Sequence, residues 1–168
     1  MVLKGPPTQR LQVAIITTHF QINGQLETIG TPFSFINDAA RESLPLYEVN
    51  VTPLATDTPL KSFSLPHVII RRSKIEFLYF ESAETRASIQ TLRRSELLVA
   101  YTSVAVCRGN FHMADEANVG DFIEDIASVL LPVTEARIFS FSELTAPFPT
   151  DPELVLIGRS HLQFYHPA

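Results

Sequence analysis

The chain has one cysteine, Cys107, among 168 residues. No internal disulfide is possible, and a reducing cytoplasm is the expected setting. The first residues carry no hydrophobic run of the signal-peptide kind, so none is expected to be cleaved there. No apolar run reaches the roughly 20 residues that span a bilayer as a helix, so no membrane is expected as a partner. Charged residues make up only 18% and net charge is −5. A mildly acidic chain with few cations is a poor partner for nucleic acid. Also missing are a glycine-rich phosphate loop, a Gly-x-Ser-x-Gly elbow and a Cys-x-x-Cys pair. The 45% apolar content excludes a disordered chain.

What the chain does have is an internal echo. Phe35, Ile36 and Asp38 return as Phe122, Ile123 and Asp125, and Leu44, Pro45 and Glu48 as Leu131, Pro132 and Glu135. The separation is 87 residues throughout (122 − 35). It holds for Val68 to Phe77 laid on Val155 to Phe164, while upstream it falls to 85, with Thr17 on Thr102 and Gly24 on Gly109. Self-similarity at a fixed period must be settled before any fold is assigned. The echo predicts two tandem modules, 1–84 and 85–168, of a mainly β, α+β class. Each is expected to be a small five-stranded, barrel-like unit with one short helix between its second and third strands.

Residues 11–22 are rich in β-branched side chains and predict a first strand, with Asn23-Gly24 as a hairpin turn. Ser34 and Asp121 stand where helix N-caps are expected, Glu124 completing a capping-box-like pair with Asp121. About ten helical residues follow each, ended by Leu44-Pro45 and Leu131-Pro132. Alternation at 47–52 and 135–138 predicts half-buried strands. A closing hairpin is expected over 68–80, turning at Arg72-Ser73, and over 154–166, turning at Arg159-Ser160. Between the modules, 82–94 has acid early, base late and no Gly or Pro, which predicts a linker helix. Modules of about 80 residues are marginal alone. They are therefore expected to pack together through their first strands, 13–22 and 98–107.

The stretch Val68-Ile-Ile-Arg-Arg-Ser-Lys-Ile-Glu-Phe resembles the second motif of the Sm-like small β-barrels. Arg71 falls on that family's Arg and Arg72 on its Gly; in the second copy Gly158 and Arg159 invert the order. The layout is also similar to an uncharacterised group of small bacterial domains. The resemblance implies a barrel-like fold. The Asp and Asn that hold a base in that family have no counterpart here.

Chemistry-bearing residues are sparse. His19, His67, His112, His161 and His166 form no metal-ligand spacing, and no metal or other cofactor is expected. Asp115, Glu116, Asp121, Glu124 and Asp125 make an acidic patch, read as caps and a solvated face. Cys107 aligns with Ile22, which points to a core position. Arg71, Arg72, Arg159 and His161 are the candidate binding residues, Arg72 and Arg159 being a matched basic pair able to grip a phosphate or carboxylate. The competing reading is a turn arginine bonded to nearby carbonyls. The expected function is a non-enzymatic interaction or assembly module that self-associates or binds another protein, since exposed sheet edges tend to be paired. The alternatives are an Sm-like RNA-binding protein, or a small-ligand binder or enzyme with its site between the modules, at His19, His112 or Cys107.

Overall fold

The computed structural model describes residues 5–168. Ten strands are found: β1 (Thr8–Ile16), β2 (Phe20–Ile29), β3 (Ser43–Pro53), β4 (Phe63–Arg71), β5 (Phe77–Phe80), β6 (Arg94–Tyr101), β7 (Ala105–Met113), β8 (Leu130–Ser140), β9 (Leu154–Gly158) and β10 (Phe164–Pro167). Three short helices join them: α1 (Pro32–Ile36), α2 (Ala83–Ser88) and α3 (Phe122–Asp125). All ten strands lie in one sheet, ordered β10-β6-β7-β8-β9-β5-β1-β2-β3-β4, and every pairing is antiparallel.

The mainly β class holds, but the sheet is open. β5 does not return to β4. It lies between β1 and β9, so it joins the first five strands to the last five. The stretches 68–80 and 154–166 are accordingly not hairpins. In each, a 3-10 turn (Arg72–Lys74 and Arg159–His161) carries the chain off one strand. It delivers the chain to β1 in the first case and β6 in the second.

Several local expectations are overturned by tertiary pairing. The first reversal is at Thr17–His19, not at Asn23-Gly24. The Thr17 hydroxyl accepts from Phe20 N at 3.1 Å, and Thr102 does the same for Ala105 N at 3.2 Å. A hydroxyl can close a turn without glycine. Gly24 instead lies inside β2, where the register with β3 shifts between Asn23 and Gln25. β3 carries one extra residue there, and Glu48 takes a left-handed φ of 50°. A Cβ on Gly24 would stand 3.1 Å from the Tyr47 carbonyl oxygen. Gly109 faces the same kind of shift in β7, opposite Glu135 at φ 50°, and its Cβ would meet Val133 Cγ1 at 2.6 Å. The glycine is needed for close strand approach at a bulge.

The helices are also shorter than their apolar spacing suggests. Thr31, not Ser34, stands at the N-cap position of α1, without a side-chain cap bond; Pro32 opens the first turn, and Ser34 lies inside the helix. Asp121 does precede α3 but makes no side-chain cap bond. Ala39 and Ala40 are exposed, outside the helix. Pro45 and Pro132 end no helix, because each lies in a strand, opposite Ile69 and Leu156 respectively. Each sits just past the last rung with its other neighbour (Leu26↔Leu46 and Phe111↔Val133), so no ladder bond is lost to the missing N–H. The linker helix is confined to α2, capped by Ser82, whose hydroxyl accepts from Thr85 N at 3.3 Å.

Two apolar clusters form the core, and each borrows from the other half of the sheet. The first, around Leu26, Leu46 and Ile75, includes Leu130, Leu154 and Leu156. The second, around Phe111, Phe122 and Val155, includes Ile16 and Phe77. The halves therefore meet through β5 and β9. Of the two expected first-strand stretches, 13–22 meets the other half through Ile16, while 98–107 meets it through Leu98 and Ala100 in the second cluster and Ser103 in the reversal after β6, although β6 itself pairs with β10 and β7 and not with β5 or β9.

Candidate functional site

The β5–β9 junction is where the two halves of the sheet touch, and residues from both fix it. Phe77 pairs with Ile157 and Leu78 with Leu156, all four fully buried. Gly158 N donates to Glu76 O at 2.9 Å. Position 158 admits no side chain, since a Cβ there would lie 2.2 Å from Ile75 O.

Polar contacts staple the same seam. Glu76 is wholly buried, and its carboxylate accepts from Thr18 Oγ1 (3.0 Å) in the first reversal and from Ser103 Oγ (2.9 and 3.0 Å) in the matching reversal of the second half. A buried carboxylate is tolerated only when its lone pairs are occupied in this way. Asn37, at the end of α1, accepts from Val129 N and Leu130 N, both at 2.9 Å. Gln21 exchanges two hydrogen bonds with the backbone of Ala146 (3.0 and 3.1 Å). Arg86 reaches from α2 to Glu153 at 2.8 Å.

Of the four candidate binding residues, only His161 belongs to this seam: its Nε2 lies 2.6 Å from Ser73 O. Arg72 is buried and donates to Ile36 O (3.2 Å) and Asp38 O (2.5 Å). Arg159 donates to Ile126 O. Both guanidinium groups are thus held by carbonyls of their own half, the turn-arginine arrangement. Arg71 is exposed and pairs with Glu42 at 3.5 Å. The four do not converge on a common ligand position.

Among the described residues, Cys107, His67, His112 and His166 are each held in separate surroundings. Cys107 lies in the second cluster, and burial pushes its thiol up to about 12. A thiol in that state is no nucleophile near neutrality. His112 is held between Leu92 O and Thr134 Oγ1, both at 2.8 Å. His67 stacks on Tyr47 at 4.6 Å and His166 contacts Tyr101 at 3.2 Å. Among the described residues no three or more His, Cys, Asp or Glu side chains are grouped to hold a metal ion. Burial, with smaller contributions from Asp121 and Glu124 of the acidic patch, raises the phenol of Tyr165, which donates to Val119 O and Gly120 O. A cavity of about 340 Å³ lies over the seam, between the two reversals, with His19, Phe20, Leu54, Ser103, Val104 and Phe141 in its wall.

No protein-family model, curated protein or solved structure matches the chain. Among the described residues no helix is long and apolar enough to cross a membrane.

The residues that sequence reasoning passed over are Phe77, Leu78, Leu156, Ile157 and Glu76. Phe77 stood in the open as the match of Phe164. Its local pattern predicts a hairpin, because nothing in a sequence tells which distant strand a short apolar run will join.

Proposed function

We propose that the chain is a tandem duplication of one five-strand module, 1–84 and 85–168, acting as a non-enzymatic interaction or assembly unit through the free edges of its sheet. The observation that carries this reading is the β5–β9 junction, where one set of five strands is joined to the other by adding strand to strand. Strand addition is the same mode by which an open edge takes a partner.

Duplication is supported by matched contacts at the matched separation. Arg72 N donates to Glu42 O and Arg159 N to Val129 O, both at 2.9 Å. Leu54 N donates to His19 O and Phe141 N to Val104 O, again both at 2.9 Å. Glu81 N donates to Gln12 O at 3.0 Å and Ala168 N to Leu97 O at 3.1 Å. The likeness to Sm-like modules belongs to the same reading, supported by the strand, 3-10 turn, strand passage in each half. A cytoplasmic setting also belongs to it, in keeping with the free thiol of Cys107.

The reading is tested by placing a photo-crosslinking residue at Ile69 or Phe164, on the two outer strands, in the native cell, with Arg137 as a control site within the sheet. Protein adducts at the edges and not at the control are expected. Absence of adducts at both edges would remove the reading. A second reading, a small-ligand binder, is favoured by the cavity over the seam; a mass increment in native mass spectrometry that is lost on denaturation would support it.

A further inference from the structure

The internal junction has an unfilled counterpart at the two ends of the sheet. Phe77 and Leu78 of β5 correspond, 87 residues on, to Phe164 and Tyr165 of β10; Leu156 and Ile157 of β9 correspond, 87 residues back, to Ile69 and Ile70 of β4. β10 and β4 are the outermost strands of the sheet. Ile70 keeps its place in the core at 6% exposed and Tyr165 is half-buried, but the other two reverse the burial of the junction. Phe77 and Leu156 are 0% exposed, whereas Phe164 and Ile69 are each 56% exposed. Phe63 and Leu65 continue the apolar rim along β4, and Leu97 lies next to β10 on β6. A bare apolar edge strand of this sort is normally covered.

We propose that a second copy of this chain covers it: β10 of one copy adds to β4 of the next, antiparallel, with Phe164 opposite Ile70 and Tyr165 opposite Ile69. The inference rests on the assembly reading above and names its partner and register. The template is the molecule's own seam. Gln163 stands where Glu76 stands, and Ser103 where Thr18 stands. Gln163 therefore takes the bridging position between Ser103 of its own chain and Thr18 of the next. Each contact joins unlike edges, so copies close into a ring or extend as a filament.

Two features make the intermolecular seam looser than the internal one. Arg71 takes the place of Gly158, whose Cβ would stand 2.2 Å from Ile75 O, so the ladder opens beside Arg71. Pro66 and Pro167 lack an N–H, which keeps the ladder to a few rungs.

The test uses the full chain, its Ile69→Lys and Phe164→Lys variants and their equal mixture, by sedimentation velocity up to a few hundred micromolar. Both substitutions are at exposed positions, and circular dichroism melts check folding. The wild type is expected to exceed monomer mass with rising concentration, and each variant alone to stay monomeric. The mixture is expected to stop at a one-to-one dimer, because one variant keeps a working β10 and the other a working β4. A monomeric wild type, a variant that self-associates like the wild type, or a mixture that stays monomeric would overturn the proposal. Should a variant melt early, hydrogen exchange on the wild type decides: amides of 69–71 and 164–166 must slow as concentration rises, and unchanged rates reject the register. A monomeric wild type whose edge residues still cross-link to another protein sinks this inference and leaves the assembly reading standing.

Discussion

Gly158 lies so close to Ile75 that a methyl group on its Cα would stand 2.2 Å from the Ile75 carbonyl oxygen. That contact is made of backbone, so no side chain can swing aside. Gly158→Ala must force β9 away from the turn that precedes β5. The expected cost is about 1–3 kcal/mol, the range of an overpacked core site, read as a lowered midpoint in urea. An unchanged midpoint would show that the seam is slack.

Phe77 and Phe164 occupy matched places with opposite exposure. Phe77→Ala should cost about 3–5 kcal/mol, as for other buried Phe truncations. Phe164→Ala removes only an exposed ring stacked on Tyr101, with centroids 4.2 Å apart, and should cost dilute protein about 0.5–1.5 kcal/mol. Denaturant melts at low protein concentration measure both. Equal effects would contradict the difference in burial.

Fragments 1–84 and 85–168 each lose their share of the seam. The first strips Leu130, Leu154 and Leu156 from one cluster; the second strips Ile16 and Phe77 from the other. Each fragment alone should aggregate or lack a cooperative melt, and mixing should restore one. Two sharp independent melts would make the halves separate bodies.

Cys107 gives a pH signature. Burial raises its thiol from 9.0 to about 12. The unfolded chain ionises this thiol from about pH 9 while the folded chain does not. The Cys107 contribution to stability is therefore full below pH 9 and lost as pH rises toward about 12. Cys107→Ala should flatten the decline in midpoint over that window. A thiol reagent at pH 8 should label the folded protein only as fast as it opens; rapid full labelling without denaturant would contradict the burial.

Nucleic acid should not bind. The net charge is −5, and the guanidinium groups of Arg72 and Arg159 are bonded to backbone carbonyls. Fluorescence anisotropy with single-stranded RNA at physiological salt should give no submicromolar affinity. Tight, salt-dependent binding would favour the RNA-binding alternative.

By itself the sequence determined the strand-rich class and the matched series of residues along the chain, because alternation and recurring side chains are local and visible in one dimension. The strand over 154–158, the half-buried third strand and the position of the turn at Arg72 were legible in this way, but not that the turn closes no hairpin. The tertiary structure alone decided where short elements end and which strands meet. Asn23-Gly24 has a strong turn signal, yet the close approach of β3 makes Gly24 a bulge site. Leu44-Pro45 has a helix-stop signal, yet pairing with β4 draws it into a strand. Phe77 and Phe164 stand in similar sequence, flanked by Glu76 and Leu78 in one case and Gln163 and Tyr165 in the other. Only the arrival of β9 from the other half buries the first and leaves the second in water, because burial depends on what comes to cover a strand and not on the strand itself.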